Sequence, residues 1–182
     1  MNKIILAVVG LAGAGKSDVT EYLINKMKVP KVYFGDATFD EMRKMGLEIN
    51  EVNERKTRED IRKRLGMGAY AILNLPKVKE LFKNGSVIIE SLYSWEEYLE
   101  MKKEFGDSFK VLSIYSSPET RIIRMENRPV RPLKREEMIS RDYSQIENLH
   151  QAGPIARADY TIVNEGTKEE LQQQVDKIIL KL

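Results

Sequence analysis

Gly10-Leu11-Ala12-Gly13-Ala14-Gly15-Lys16-Ser17 fits the spacing G-x-x-x-x-G-K-[ST], and each residue type in it suits one task in holding a polyphosphate. The small residues Gly10, Ala12, Gly13, Ala14 and Gly15 let backbone N–H groups turn inward around phosphate oxygens. Lys16 is placed to reach the β and γ phosphates, Ser17 offers a hydroxyl to magnesium, and Asp18 follows within the same site. A helix starting here adds partial positive charge at its N-terminus. The pattern therefore predicts a bound nucleoside triphosphate with Mg2+. A ligand-free glycine-rich turn would show this full pattern by chance in about one chain of this length in a few hundred, so the nucleotide reading prevails.

Cations recur where a transferring phosphoryl group would need them. Arg121, Arg124, Arg128, Arg131, Arg135 and Arg141 follow closely on one another, interrupted by the helix breakers Pro129 and Pro132. Region 121–142 reads as a lid. The spacing of Arg121, Arg124 and Arg128 predicts one helix face bearing three guanidiniums, with Arg131 at the tip. Arg124 is assigned to the nucleotide, and Arg128 and Arg131 to catalysis. The plain alternative is a solvated basic face paired with Glu119, Glu126, Glu136 and Glu137. Arg55, Arg58 and Arg62 repeat the spacing elsewhere; Arg58 and Arg62, with Arg43, are candidates to grip a phosphorylated acceptor, although Glu54, Glu59 and Asp60 lie near enough to neutralise the cluster.

Two acids complete the candidates. Asp36, after the run VYFGD, would orient the acceptor or hold magnesium through water, or else cap the next helix. Glu90 closes the run VIIES, where a carboxylate would support the metal and face the acceptor. His150 is the only histidine, has no metal-ligand neighbours, and reads as structural. Trp95 and its neighbours Tyr93 and Tyr98 read as packing residues rather than a stacking platform.

The elements that must position these residues are legible as periodicity. Apolar runs at 4–9, 32–34, 87–89, 111–115 and 160–163 are nearly continuous, as buried parallel strands are. Helical spacing fills 17–27, 54–65, 69–82, 96–104, 119–126, 135–149 and 168–182. The alternation predicts an α/β fold, a doubly wound five-stranded parallel sheet whose ligands bind beyond the carboxyl ends of the strands. The mostly helical stretch 36–83 reads as a substrate-binding insertion. A chain of 182 residues fits one domain, 1–182.

Composition narrows the partners. Lys and Arg total 30 against 28 acids, and a net charge of +2 is too small for a nucleic-acid-coating or membrane-surface protein. Cysteine is absent, which removes disulfides and thiolate metal sites and fits a reducing, cytoplasmic setting. The apolar start resembles a secretion signal, but the Gly-Lys-Ser that follows gives it another task. A small-molecule acceptor and a monomer or homodimer are expected.

GLAGAGKS, VYFGD, SPETRIIRMENR, the pair Arg141-Asp142 and the ending ADYTIVNEGT together resemble P-loop nucleotide kinases of the group around dephospho-CoA kinase and the nucleoside monophosphate kinases. The resemblance spans nearly the whole chain. It implies a P-loop NTPase kinase fold, places Asn164, Glu165, Gly166 and Thr167 beside the donor adenine, and puts Arg128 and Arg131 in the lid. Two departures stand out: GLEINEVNERKTRED replaces the segment expected of dephospho-CoA kinases, and Glu90-Ser91 stands where many relatives place Asp-Gly. The implied activity is γ-phosphoryl transfer from ATP to a nucleoside or deoxynucleoside monophosphate. Dephospho-CoA or another metabolite remains open as acceptor, as does a nucleotide-regulated ATPase switch. The Asn-Lys-x-Asp motif expected of a GTPase is absent, and an AAA-type motor would need a larger domain.

Overall fold

The computed structural model describes residues 3–182; Met1 and Asn2, the first two residues of the expected domain, lie outside the described residues. Five strands, β1 (Ile5–Val9), β2 (Lys31–Tyr33), β3 (Val87–Glu90), β4 (Phe109–Tyr115) and β5 (Tyr160–Val163), form one all-parallel sheet in the order β2-β3-β1-β4-β5. This is the sheet expected from the apolar runs. The helices are α1 (Lys16–Met27), α2 (Asp36–Lys44), α3 (Glu51–Leu65), α4 (Ala69–Asn84), α5 (Trp95–Phe105), α6 (Pro118–Glu126), α7 (Arg135–Glu147), α8 (Ala152–Ala156) and α9 (Lys168–Ile179).

Alternate residues of each strand enter opposite cores, which is why the runs contain almost no polar positions. Ile5, Ala7, Val9, Ile89 and Val111 pack with Val78 of α4 and Met101 of α5. Leu6, Val8, Ile88, Leu112 and Ile162 pack on the other face with Leu23 of α1 and Val175 of α9. A third, smaller cluster of Ala12, Ile122, Met125 and Met138 joins the loop after β1 to α6 and α7.

Local chemistry sets the helix ends. Ser117 accepts a hydrogen bond from the Thr120 N–H at 3.3 Å and Pro118 follows it, a favoured start for α6. The helix stops at Glu126, with Asn127 as its cap, because Arg128 precedes Pro129 and that position disfavours helical backbone. The three-guanidinium stripe expected on α6 therefore does not form: Arg128 lies beyond the helix, and Arg121 is turned into the protein with its side chain 4% exposed. Helices α2, α3 and α4 fill the stretch between the second and third strands, where the insertion was expected. The sequence reading missed α2 as a separate helix and the five-residue α8, which contains Gly153 and Pro154, two poor helix formers. Among the described residues, no helix is long and apolar enough to cross a membrane.

Candidate active site

The loop between β1 and α1 leaves the sheet at its centre, beyond the carboxyl end of β1. Two of its glycines are required sterically: a Cβ on Gly10 would run into the Ile114 carbonyl, and one on Gly15 into the Asn164 amide, and both residues have positive φ, +144° and +97°. Gly15 is also the N-cap of α1 and supplies no side-chain hydrogen bond, so the first-turn N–H groups keep no side-chain acceptor at the cap. An uncapped helix start preceded by a glycine cradle is an anion site.

The outer edge of the loop is held from four elements. Gln151 Nε2 donates to the Gly10 carbonyl at 2.9 Å, Gln145 Oε1 accepts from the Ala12 N–H at 3.2 Å, Arg121 Nη1 donates to the Ala12 carbonyl at 3.2 Å, and Asn164 Nδ2 donates to the Ala14 carbonyl at 2.9 Å. All four side chains are buried.

Inside the loop, Lys16 Nζ donates to the Leu11 carbonyl at 2.9 Å. Its ammonium pKa is lowered to about 8, chiefly by burial and further by Arg141, while Glu90 opposes the shift. A cleft of about 730 Å3 opens above it, lined by Ala12, Gly13, Gly15, Lys16, Ser17, Asp18, Arg124, Asn164, Gly166 and Thr167, which is the expected nucleotide set apart from Gly10 and Ala14 in the loop's packed outer wall. Arg124 reaches Ser116 Oγ at 3.0 Å and Asn164 Oδ1 at 3.4 Å, leaving its guanidinium along one side of the cleft. Glu90 also lines it and pairs with Lys31 at 2.7 Å, the partner a carboxylate at the end of a buried strand needs. Among the described residues no group of three or more His, Asp or Glu could hold a metal by itself. Ser17, with Glu90 nearby, fits an ion carried mainly by phosphate oxygens.

A second cavity, of about 1060 Å3, meets the first at Tyr33, Ser91, Tyr93, Arg128 and Arg141. Its wall carries Arg58, Arg62 and Arg131 together with the rings of Phe39 and Tyr70. Arg62 lies over the Tyr70 ring at 4.9 Å, and Arg58 bonds Glu54 at 3.2 Å. Of the earlier cationic stripe on α3, Arg55 alone faces away, bonded to Glu59 at 3.0 Å.

Two expected site residues sit elsewhere. Asp36 opens α2 with its carboxylate 3.6 Å from Lys77, and Arg43 pairs with Asp40 on the exposed side of the same helix; neither lines the cleft or the second cavity. Arg121, counted with the lid in sequence, is instead held by both oxygens of Asp142 at 2.7 Å. The sequence assigns Arg141 only to the lid arginines and Tyr93 to packing, whereas both line the two cavities, and it singles out none of Tyr33, Tyr70, Gln145 and Gln151. Trp95 and Tyr98 do pack, stacked at 4.8 Å, and His150 bonds Glu96 at 2.8 Å.

Residues 6–148 match the AAA domain family designated AAA_18. The UPF0200 protein of Pyrococcus abyssi is 34% identical over 98% of this chain and 96% of its own length, and that of Pyrococcus furiosus is 36% identical over 96% and 95%. Among solved structures, shikimate kinase from Bacteroides thetaiotaomicron superposes with a TM-score of 0.63 at 14% identity, covering all of both chains. A gluconokinase from Sinorhizobium meliloti superposes with a TM-score of 0.58 at 12% identity over 98% of this chain and 97% of that one. At these identities the structures share the fold of small-molecule P-loop kinases.

Proposed function

We propose that this chain, which belongs to the AAA_18 family and to the UPF0200 proteins, is an ATP-dependent kinase that phosphorylates a small, already phosphorylated acceptor, with a nucleoside or deoxynucleoside monophosphate favoured. The observation that carries the reading is the junction of two cavities: one is built on the phosphate loop, the other on arginines and aromatic rings, and Arg128 and Arg141 belong to both. ATP with Mg2+ would supply the γ-phosphoryl group and part of the neutralisation of its oxygens. Lys16 and the first-turn N–H groups of α1 hold the donor's β and γ phosphates, and Ser17 and Glu90 are placed to steady the metal. Arg128 and Arg141 sit where charge builds up during in-line transfer, so they stabilise the transition state more than either ground state. Tyr33, Phe39, Tyr70 and Tyr93 give a planar base apolar surfaces, while Arg58, Arg62 and Arg131 answer the acceptor's phosphate.

The test is transfer of labelled γ-phosphate from ATP and magnesium to a panel of nucleoside monophosphates, dephospho-CoA and sugar acids, with Lys16→Ala as blank. Transfer to one nucleoside monophosphate is expected. Transfer only to another metabolite would replace the acceptor, and acceptor-independent hydrolysis would turn the reading toward a nucleotide switch.

A further inference from the structure

Ala12, third in the phosphate loop, has both of its backbone groups bound by side chains linked to α7. Its N–H donates to Gln145, which stands on α7, and its carbonyl accepts from Arg121, whose guanidinium is gripped by Asp142 of α7 through two 2.7 Å bonds. Arg121 is further fixed by donation to the Ser116 carbonyl at 3.1 Å. Met138, on the same helix, is fully buried against Ala12, Ile122 and Met125. Arg141 lies one helical turn before Gln145 and one residue before Asp142, so it projects from the segment of α7 that is latched to the loop.

From this geometry we infer that Gln145 is a positioning residue: with the Arg121–Asp142 pair it locks the phosphate loop and the arginine-bearing helix into one rigid unit, so that Arg141 and the loop amides meet the same phosphates in a fixed relation. The inference rests on the kinase reading only for the identity of the ligand, since it concerns how a triphosphate is held. Gln145 is 5% exposed and its bond crosses 133 residues of chain, which marks the contact as tertiary rather than local. Replacing its acceptor oxygen leaves a buried N–H unpaired and removes one of the two side-chain ties between the loop and the helix, leaving the Arg121–Asp142 tie alone.

The experiment is calorimetric titration of the full-length chain with ATP and magnesium, without acceptor, on Gln145→Met, Gln145→Glu, Arg141→Gln and the double variant Gln145→Met with Arg141→Gln. Gln145→Met is expected to weaken ATP by about tenfold, the scale of one lost acceptor to a buried donor, and Gln145→Glu, which keeps the acceptor oxygen, to stay within about threefold. Arg141→Gln should cost clearly less in the Gln145→Met background than alone, because the two act through one arrangement. Thermal melts on each variant separate this coupling from unfolding. Equal losses from Arg141→Gln in both backgrounds, or unchanged ATP affinity in Gln145→Met, would overturn the inference. A chain that binds ATP with this coupling yet transfers phosphate to nothing would count against the kinase reading alone.

Discussion

Lys16 holds its proton weakly: its ammonium is buried and close to Arg141, so its pKa falls to about 8. Triphosphate oxygens placed against it restore favour to the charged form. Binding ATP near pH 8 should therefore take up about half a proton, the fraction of Lys16 that is neutral there. Calorimetry in two buffers of different ionisation enthalpy reads this directly, and Lys16→Met should abolish it; uptake that persists in the variant would assign the proton elsewhere. Ser91, at the junction of the two cavities, has φ +67°, a left-handed conformation that costs a residue with a Cβ about 1–2 kcal/mol. Glycine adopts it freely but loses more freedom on folding, so Ser91→Gly should stabilise the fold by about 0.5–1 kcal/mol, seen as a raised denaturation midpoint with unchanged slope. No gain would mean that the Ser91 side chain contributes contacts worth as much as the strain.

Helix α5 begins with a capping box in which Glu97, fully buried, accepts from the Tyr93 and Ser94 N–H groups at 2.7 and 3.3 Å. Burial raises its pKa to about 7, while those N–H groups and Arg62 pull the other way. Since the folded chain binds this proton more tightly than the unfolded one, the associated stability is present at low pH and is lost as pH rises through 7. Stability should fall by an amount on the order of 1–3 kcal/mol between about pH 5 and 8, read as a lowered melting temperature, and Glu97→Gln, which keeps an acceptor oxygen, should flatten the curve. A slope that survives the substitution would place the titration in another group. The elements themselves were largely readable, because strands covered on both faces are unbroken apolar runs and the phosphate loop is a contiguous motif. What escaped was every contact made across the fold. Gln145 and Gln151 reach the loop over 133 and 141 residues, and nothing in their own neighbourhoods marks them; Asn164 is marked by the ending ADYTIVNEGT, but its bond to the Ala14 carbonyl across 150 residues is not. The stripe expected on α6 failed for a local reason that was visible, Pro129 after Arg128; the residues around Arg121 did not show that Asp142 would draw it inward.

Across the whole molecule, the parallel sheet puts the cleft over the phosphate loop and the arginine-lined cavity side by side at one edge, sharing Tyr33, Ser91, Tyr93, Arg128 and Arg141. Two separate polyanions in these spaces repel one another, and each loses its own translational freedom on binding. A single molecule with a nucleoside at each end of a polyphosphate chain avoids the second of these losses, because its second half binds at a high effective concentration. If both cavities serve one reaction, a dinucleoside pentaphosphate should bind at least about a hundredfold more tightly than ATP alone. Its affinity should fall with added salt more steeply than that of ATP, since it engages the arginines of both cavities. Arg58→Gln combined with Arg62→Gln, placed only in the second cavity, should return the bridging ligand to nearly the affinity of ATP while leaving ATP unaffected. Equal affinity for the two ligands in the unaltered chain would mean that the cavities are not used together, and the acceptor would then have to enter from another face.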